Sequence, residues 1–531
     1  MNFLTRHINR QELSIVWASL FIMVTGNFSF FGRVFDIYPL SLANTPFLAS
    51  VFVLFFAATL FVLNLIVFSR AGKWVLAFVL FASAAAAYFM DTYGAMIDAD
   101  MLTNMLQTNA SETLDLLSWP LVLRLAFLGI LPAWLMVRYS KPNRGFWVGA
   151  RSKAWLALLS LILMACAIAP LTSHYATFFR AHKSVRFYAN PTFYIYSVIK
   201  LGREIVKDNS PMPLAATATD SKIVSQGGPH KLTILVVGET ARADHFSLNG
   251  YPRNTNPELE KIGVLSLKNM WSCGTATAVS VPCMFSDLHQ GDFDIGEAKN
   301  RENALDVLKR LGVQVLWRDN NSDSKAVALR IEFQDYKKSP PNTHCDSECR
   351  DVGMLVGLQD YINKHANKDI LIVLHQMGNH GPAYYKRYPK QFEKFTPVCK
   401  TNELAQCSQA QIINAYDNAI LYTDHFLAKV IDLLKANDDK YATTMAYLSD
   451  HGESLGENGL YLHGAPYAFA PDAQKHVPAV LWFGKNNRYS IDQFKRFEDK
   501  RFSQDDLFCA LLMGFDVETS ECKVDQLGTE R

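Results

Sequence analysis

Five long apolar runs crowd the first third of this chain, and they limit its folds more than any other feature. They cover residues 13–31, 45–69, 74–90, 118–138 and 154–174. A bilayer crossing takes about 20 apolar residues, so each run is long enough to span a membrane as a helix. Leu13 to Phe31 is too long for a signal-peptide core, and further spans follow it, so cleavage is not expected. Apolar residues concentrate before residue 175 and charged residues after it, in a chain of 531 residues with room for two or three domains.

The loops between the runs carry an orientation. Arg6 and Arg10 precede the first run, Arg70 and Lys73 separate the second and third, and Arg138, Lys141, Arg144, Arg151 and Lys153 separate the fourth and fifth. The loop between runs three and four holds Asp91, Asp98, Asp100, Glu112 and Asp115, with no Lys or Arg. Positive charge favours the cytoplasmic side, so the N-terminus is expected in the cytoplasm and everything after residue 175 outside it. Arg124, within run four near its outer end, reads as a snorkelling cation. The domain reading is a five-span membrane domain over 1–175, a bridging segment over 176–230 and an α/β domain over 231–531. Within the bridge, RFYANPTFYIYSVIKLGREI at 186–205 is aromatic, basic and amphipathic, which suits a membrane surface. Residues 207–230, rich in Pro, Ala, Thr, Ser and Gly, read as a linker.

Cysteine usage points to the same compartment independently. Eight of nine cysteines lie beyond residue 270, in short-range pairs: Cys273/Cys283, Cys345/Cys349, Cys399/Cys407 and Cys509/Cys522. Such spacing suits disulfides in an oxidising space. No second C-x-x-C accompanies any pair, which counts against zinc-binding thiols. Cys166 lies in an apolar run and reads as a small hydrophobe. The net charge of +2 leaves no polybasic case for nucleic acid.

Beyond Leu232 the pattern changes. TILVVGE, VQVLWRD, DILIVLHQ, TTMAYLSDH and PAVLWFG read as buried strands. ENALDVLKRLG and IINAYDNAILYTDHFLAKVIDLLKAN read as helices, with apolar residues at helical spacing. The alternation implies an α/β domain with a mostly parallel sheet, whose ligands bind outside the carboxyl ends of the strands. Glu239, Asp450 and His451 lie at such ends. Between them runs C-G-T-A-T-A-V-S-V-P-C from Cys273 to Cys283, with hydroxyls on Thr275, Thr277 and Ser280. Two carboxylates and an imidazole suit a zinc ion that leaves a position for a reacting oxygen. A threonine hydroxyl barely ionises at neutral pH, and a dication would lower its pKa. A helix beginning near Thr277 would aim its N-terminal amides at an anion there. Spacing alone leaves Thr275 and Thr277 both open.

Four longer motifs resolve the family. VVGETARADHFSLNGYPR at 236–253, SCGTATAVSVPCMFS at 272–286, HQMGNHGPAYYKRYP at 375–389 and SDHGESLGENGLYLHGAPYAFAP at 449–471 resemble the lipid A phosphoethanolamine transferases, which include the mobile colistin-resistance proteins. The resemblance spans nearly the whole chain. It implies five transmembrane helices followed by an alkaline phosphatase/sulfatase-like periplasmic domain in a bacterial inner membrane. It makes Thr277 the nucleophile and gives a catalytic zinc to Glu239, Thr277, Asp450 and His451. His380 and His463 would bind substrate phosphate or a second, weaker zinc. Asn104, Thr108 and Glu112 in the acidic loop, with Ser322 and Lys325 in R-D-N-N-S-D-S-K, fall on the family's substrate positions. Its usual disulfides match Cys273–Cys283 and Cys399–Cys407. The pairing of Cys345 with Cys349 is unusually close, and that of Cys509 with Cys522 stays open.

The activity implied is ping-pong transfer of phosphoethanolamine from phosphatidylethanolamine to a lipid A phosphate by a monomer, with polymyxin resistance as its result. The alternative is another membrane-anchored phosphoglycerol or phosphoethanolamine transferase acting on a different acceptor, such as core sugars. A sulfatase fits less well, because no C/S-x-P-x-R signature surrounds the nucleophile. A non-catalytic sensor would need no such nucleophile.

Overall fold

The computed structural model describes residues 10–67, 71–108, 110–140, 146–208, 213–224 and 227–522. Arg6, Arg70, Lys141 and Arg144, used above for orientation, lie outside the described residues. The chain forms two compact units, one of residues 1–102 and 117–201, the other of 103–116 and 202–531. The boundaries at 175 and 230 read from the sequence do not coincide with these units. Residues 176–201 group with the apolar helices, and the loop segment 103–116 groups with the α/β part.

In the first unit, four described helices are long and apolar enough to cross a membrane: Thr45–Ile66, Gly72–Tyr93, Trp119–Tyr139 and Gly149–Ala181. The first expected span is not one straight helix. Gln11–Thr25 and Phe28–Ile37 meet at a 59° bend, and the pair makes a fifth crossing only if it is one span. Asn27 sits at the break. Its amide donates to the carbonyls of Ile22 (2.9 Å) and Asn190 (2.7 Å), while the Asn190 amide donates to those of Gly26 and Ser83. Two asparagines thus satisfy carbonyls around the bend, which apolar surroundings otherwise penalise. Arg124 does more than snorkel: its Nη2 lies 2.5 Å from Asp91 Oδ2. The amphipathic stretch forms the helix Thr192–Asp208, with Val198 and Ile199 exposed. Cys166 lies on the apolar helix Gly149–Ala181, where its side chain is exposed.

The second unit is built on an eight-stranded sheet among its described residues. Its order is Phe502–Ser503, Leu265–Trp271, His476–Phe483, Ala442–Ser449, Lys231–Gly238, Ile370–His375, Gln314–Asp319 and Glu332–Asp335. Only His476–Phe483 runs antiparallel to its neighbours, so the sheet is mostly parallel, as its apolar strands imply. Alternate residues of the central strand feed two cores. Leu232, Ile234 and Val236 join one with the long helix Gln409–Lys435, and Leu235 and Val237 join the other with Leu305, Leu308, Leu511 and Leu512. The strands Leu265–Trp271 and Glu332–Asp335 escaped the sequence reading, because LSLKNMW and EFQD carry too many polar residues to look buried. Part of the expected linker is folded onto this unit. Lys222 and Ile223 pair with Glu518 and Val517, and Ala218 is fully buried. Four disulfides close among the described residues, Cys273–Cys283, Cys345–Cys349, Cys399–Cys407 and Cys509–Cys522.

Candidate active site

Strand register brings the acidic groups together. Gly238 lies opposite Ser449 in the parallel pair of central strands, so Glu239 and Asp450 leave the sheet side by side. The Asp450 amide then donates to the Gly238 carbonyl at 2.9 Å, and Thr240 N–H to Asp450 Oδ1 at 3.1 Å. Thr240 holds a positive φ of 52°, a costly conformation for a β-branched residue, at the turn that aims Glu239 inward. Gly452, after Asp450 and His451, has no room for a side chain: a Cβ there would lie 2.0 Å from the Ala473 carbonyl oxygen.

Thr277 opens the helix Thr277–Met284, as its place in the motif implies. Its Oγ1 lies 3.2 Å from Glu239 Oε2 and 3.2 Å from His451 Nε2. The ligand atoms of Glu239, Asp450 and His451 all fall within 4.8 Å of one another, and all three residues are fully buried. His451 Nδ1 faces the Gly452 carbonyl at 2.9 Å, and a carbonyl only accepts, so the proton sits on Nδ1. Burial, then His463, hold this ring well below the usual imidazole range, so it is neutral. Its bare Nε2 therefore faces carboxylate oxygens, 3.2 Å from Asp450 and 3.5 Å from Glu239. Asp450 Oδ2 is buried and accepts no hydrogen bond among the described residues. Lone pairs crowded in this way need a cation, and two carboxylates with an imidazole are a suitable donor set for zinc.

A second group shares Glu239 with the first. Its carboxylate and the rings of His380 and His463 can also offer ligand atoms within 4.8 Å of one another. His463 Nδ1 lies 3.3 Å from Glu453 Oε2, and the His380 Nδ1 is buried without a hydrogen bond among the described residues. Burial, then Arg387, then His463 hold His380 well below the usual imidazole range. Ser322 and Lys325 sit in the loop after Gln314–Asp319, with positive φ at Asp323, Lys325 and Ala326. Lys325 Nζ donates to the carbonyls of Ser322 (3.1 Å) and Gln107 (3.3 Å). Asn104 and Thr108 lie beside Gln107, and the Thr108 hydroxyl donates to the Asn104 carbonyl. Glu112 lies in the helix Ala110–Leu116.

Residues 55–205 match the family model for phosphoethanolamine transferase EptA/EptB, and residues 231–517 match the sulfatase model. The chain is 47% identical to phosphatidylethanolamine transferase Mcr-2 of Escherichia coli over 519 residues, 95% of each protein. The chain belongs to the lipid A phosphoethanolamine transferase family. It is also 41% identical to phosphoethanolamine transferase EptA of Salmonella typhimurium, over 98% of this chain and 96% of that protein. Among solved structures it is similar to the integral membrane protein lipooligosaccharide phosphoethanolamine transferase A from Neisseria meningitidis, with a TM-score of 0.92 and 34% identity over 96% and 97% of the two chains.

Several residues that contact this candidate site in the transferase escaped the sequence reading. Asn321 donates to Glu239, Gln504 braces both the Cys273 loop and the Asp450 turn, and Glu453 backs His463. Asn321 lies one residue before Ser322 in R-D-N-N-S-D-S-K, and Glu453 lies in S-D-H-G-E, so motif membership was the available signal. Gln504 lies in R-F-S-Q-D-D, outside every motif, and had none.

Proposed function

We propose that this transferase moves phosphoethanolamine from phosphatidylethanolamine to a phosphate of lipid A through a phosphorylated Thr277. One observation carries the reading: the Thr277 hydroxyl, at the first residue of its helix, lies within 3.4 Å of both Glu239 oxygens and 3.2 Å from the bare nitrogen of His451. Glu239, Asp450 and His451 would hold one zinc ion with Thr277, and His380 and His463 with Glu239 would hold a weaker second one or the substrate phosphate. Zinc, when bound, lowers the pKa of the threonine hydroxyl and stabilises negative charge on the transferring phosphoryl group.

In the first half-reaction the Thr277 hydroxyl loses its proton to solvent, its oxygen forms a bond to the donor phosphorus, and the bond from phosphorus to the diacylglycerol oxygen breaks. The diacylglycerol oxygen takes a proton and leaves. His380, held neutral by burial and by Arg387, is a poor charged acid. With His463 on the substrate phosphate rather than on a second zinc, His463 donates that proton, steadied from behind by Glu453. In the second half-reaction a lipid A phosphate oxygen bonds to the same phosphorus, the bond from phosphorus to the Thr277 oxygen breaks, and that oxygen takes back a proton. The first amides of the helix Thr277–Met284 face the site and favour an anion there. Asn104, Thr108, Glu112, Ser322 and Lys325 would bind the donor headgroup.

The enzyme works as a monomer in the inner membrane on this reading, with its N-terminus in the cytoplasm and the α/β unit in the periplasm. Four disulfides and the loop charges support that orientation. Its product carries an added amine, so cationic polymyxins bind the modified surface less well. Mass spectrometry of the purified protein after exposure to phosphatidylethanolamine alone should find a phosphoethanolamine adduct on the peptide holding Thr277, absent in Thr277→Ala. An adduct that persists in that variant, or maps to Thr275 or Ser280, would falsify the assignment. Mass spectrometry of lipid A from expressing cells then identifies the acceptor phosphate.

A further inference from the structure

The loop segment 103–116 leaves the helical unit and groups with the α/β unit, and a charged cluster holds its C-terminal end there. Asp115 Oδ1 accepts from Lys386 Nζ at 2.6 Å, and its Oδ2 accepts from Arg387 Nη2 at 2.7 Å. Its carbonyl accepts from the Asn402 amide at 2.8 Å. The Arg387 side chain is only 2% exposed. Its Nε donates to the His380 carbonyl at 2.6 Å, and its Nη1 to Glu348 at 2.5 Å. Glu348 itself rides on the small loop closed by Cys345–Cys349. At the other end of the segment, Lys325 Nζ reaches the Gln107 carbonyl.

One buried guanidinium therefore holds the backbone of His380 and the carboxylate of the docked loop. A buried cation needs paired anions, and an arginine fork fixes them in direction as well as in charge. Asn104 and Thr108 lie on the same short segment, eleven and seven residues before Asp115. None of them could share a site with His380 and Lys325 unless the segment stays docked.

We propose that Asp115, clamped by Arg387 and Lys386, is a positioning residue that docks the 103–116 segment beside His380 and Lys325 so that both halves of the donor-headgroup site act together. This rests on the donor site proposed above. Asp115 touches no reacting atom on this reading, and its loss weakens binding of phosphatidylethanolamine rather than the chemical step.

The test uses the full-length protein in mixed micelles with phosphatidylethanolamine and a saturating lipid A acceptor, reading release of diacylglycerol. Asp115→Asn should raise KM about tenfold or more, the loss expected for a charge-assisted contact, with kcat within about twofold. Asp115→Glu should regain most of the affinity, and Arg387→Lys, which keeps the charge but loses the fork, should fall between. Hydrogen exchange in Asp115→Asn should rise in peptides covering 103–116 and stay unchanged in the central strand Lys231–Gly238. An unchanged KM, a fall in kcat alone, or a loss of protection spread over the whole sheet would each overturn the clamp. If the wild-type protein releases no diacylglycerol, the donor assignment fails, while the exchange experiment still decides whether Asp115 docks the segment.

Discussion

Asn321 donates its side-chain amide to Glu239 Oε2 at 2.6 Å and to the Gln376 carbonyl at 2.9 Å. Its own Oδ1 accepts the Ser322 amide. One side chain thus ties a proposed zinc ligand to the loop that carries Ser322 and Lys325. Asp319 in turn anchors that loop, accepting from the amides of Asn321 and Asp323 and lying 2.9 Å from His375 Nδ1.

Asn321→Leu removes the 2.6 Å hydrogen bond to Glu239 and should lower zinc affinity and turnover by roughly 10–100-fold, the usual cost of removing a group that orients a ligand. Asn321→Asp should be worse, since it sets a second carboxylate against the first. Zinc content after dialysis against a weak chelator measures both. Full occupancy in Asn321→Leu would show that Glu239 holds its aim without help.

Thr275 differs from Thr277 in what it touches. Its hydroxyl donates to the Ala465 carbonyl at 2.6 Å, and its own carbonyl accepts from Gly464, beside His463. Thr275→Ala strands a buried carbonyl and should cost about 1–3 kcal/mol of stability with partial loss of transfer. Thr275→Ser should restore both, whereas Thr277→Ala should abolish both half-reactions. Paired unfolding curves and lipid A mass spectra separate the two threonines.

Gln504 is fully buried between two parts of the site. Its Oε1 accepts from Cys273 N–H at 2.7 Å, and its Nε2 donates to the carbonyls of Ser449 and Asp450. Gln504→Leu keeps the bulk and strands all three partners, so the α/β unit should lose about 3 kcal/mol or more. Its zinc affinity should fall as well, because the Asp450 turn loses its brace. A Gln504→Leu protein with wild-type melting temperature and metal content would contradict this.

Burial pushes the Asp424 carboxyl up to about 7, against the pull of the N–H groups of Glu258 and Leu259 that it accepts. Between its ordinary value of 3.8 and about 7, the folded protein holds a proton that the unfolded chain has released. Stability from this site is therefore full below the lower value and falls as pH rises through the window, by up to a few kcal/mol. Asp424→Asn cannot ionise, so its melting temperature should decline less between pH 4 and pH 8 than that of the parent (pH values about those bounds). Parallel pH profiles for the two proteins would remove Asp424 as the cause.

Much of the architecture was legible because it depends on local composition. Length and apolarity mark the spans, since a bilayer admits little else, and alternation of apolar runs with amphipathic stretches marks the parallel sheet. The four cysteine pairs are near in sequence, and each closes on its near neighbour. The proposed nucleophile was less legible. Thr275 and Thr277 have the same chemistry two residues apart, and only the family motif separated them.

Tertiary structure decided what depends on contacts between distant residues. Glu239 and Asp450 are 211 positions apart in the sequence, and the register of two parallel strands sets them side by side. The bend in the first apolar run depends on Asn190, 163 residues away, supplying its carbonyl to Asn27. Gln504 has the composition of any polar loop residue, and its role arises only because three backbone groups surround it. Asp115 reads as one more acid in an acidic loop until Arg387, 272 residues later, comes within 2.7 Å. A sequence states which groups can ionise, donate or span a membrane. Which of them meet depends on chain crossings whose energies no short stretch contains.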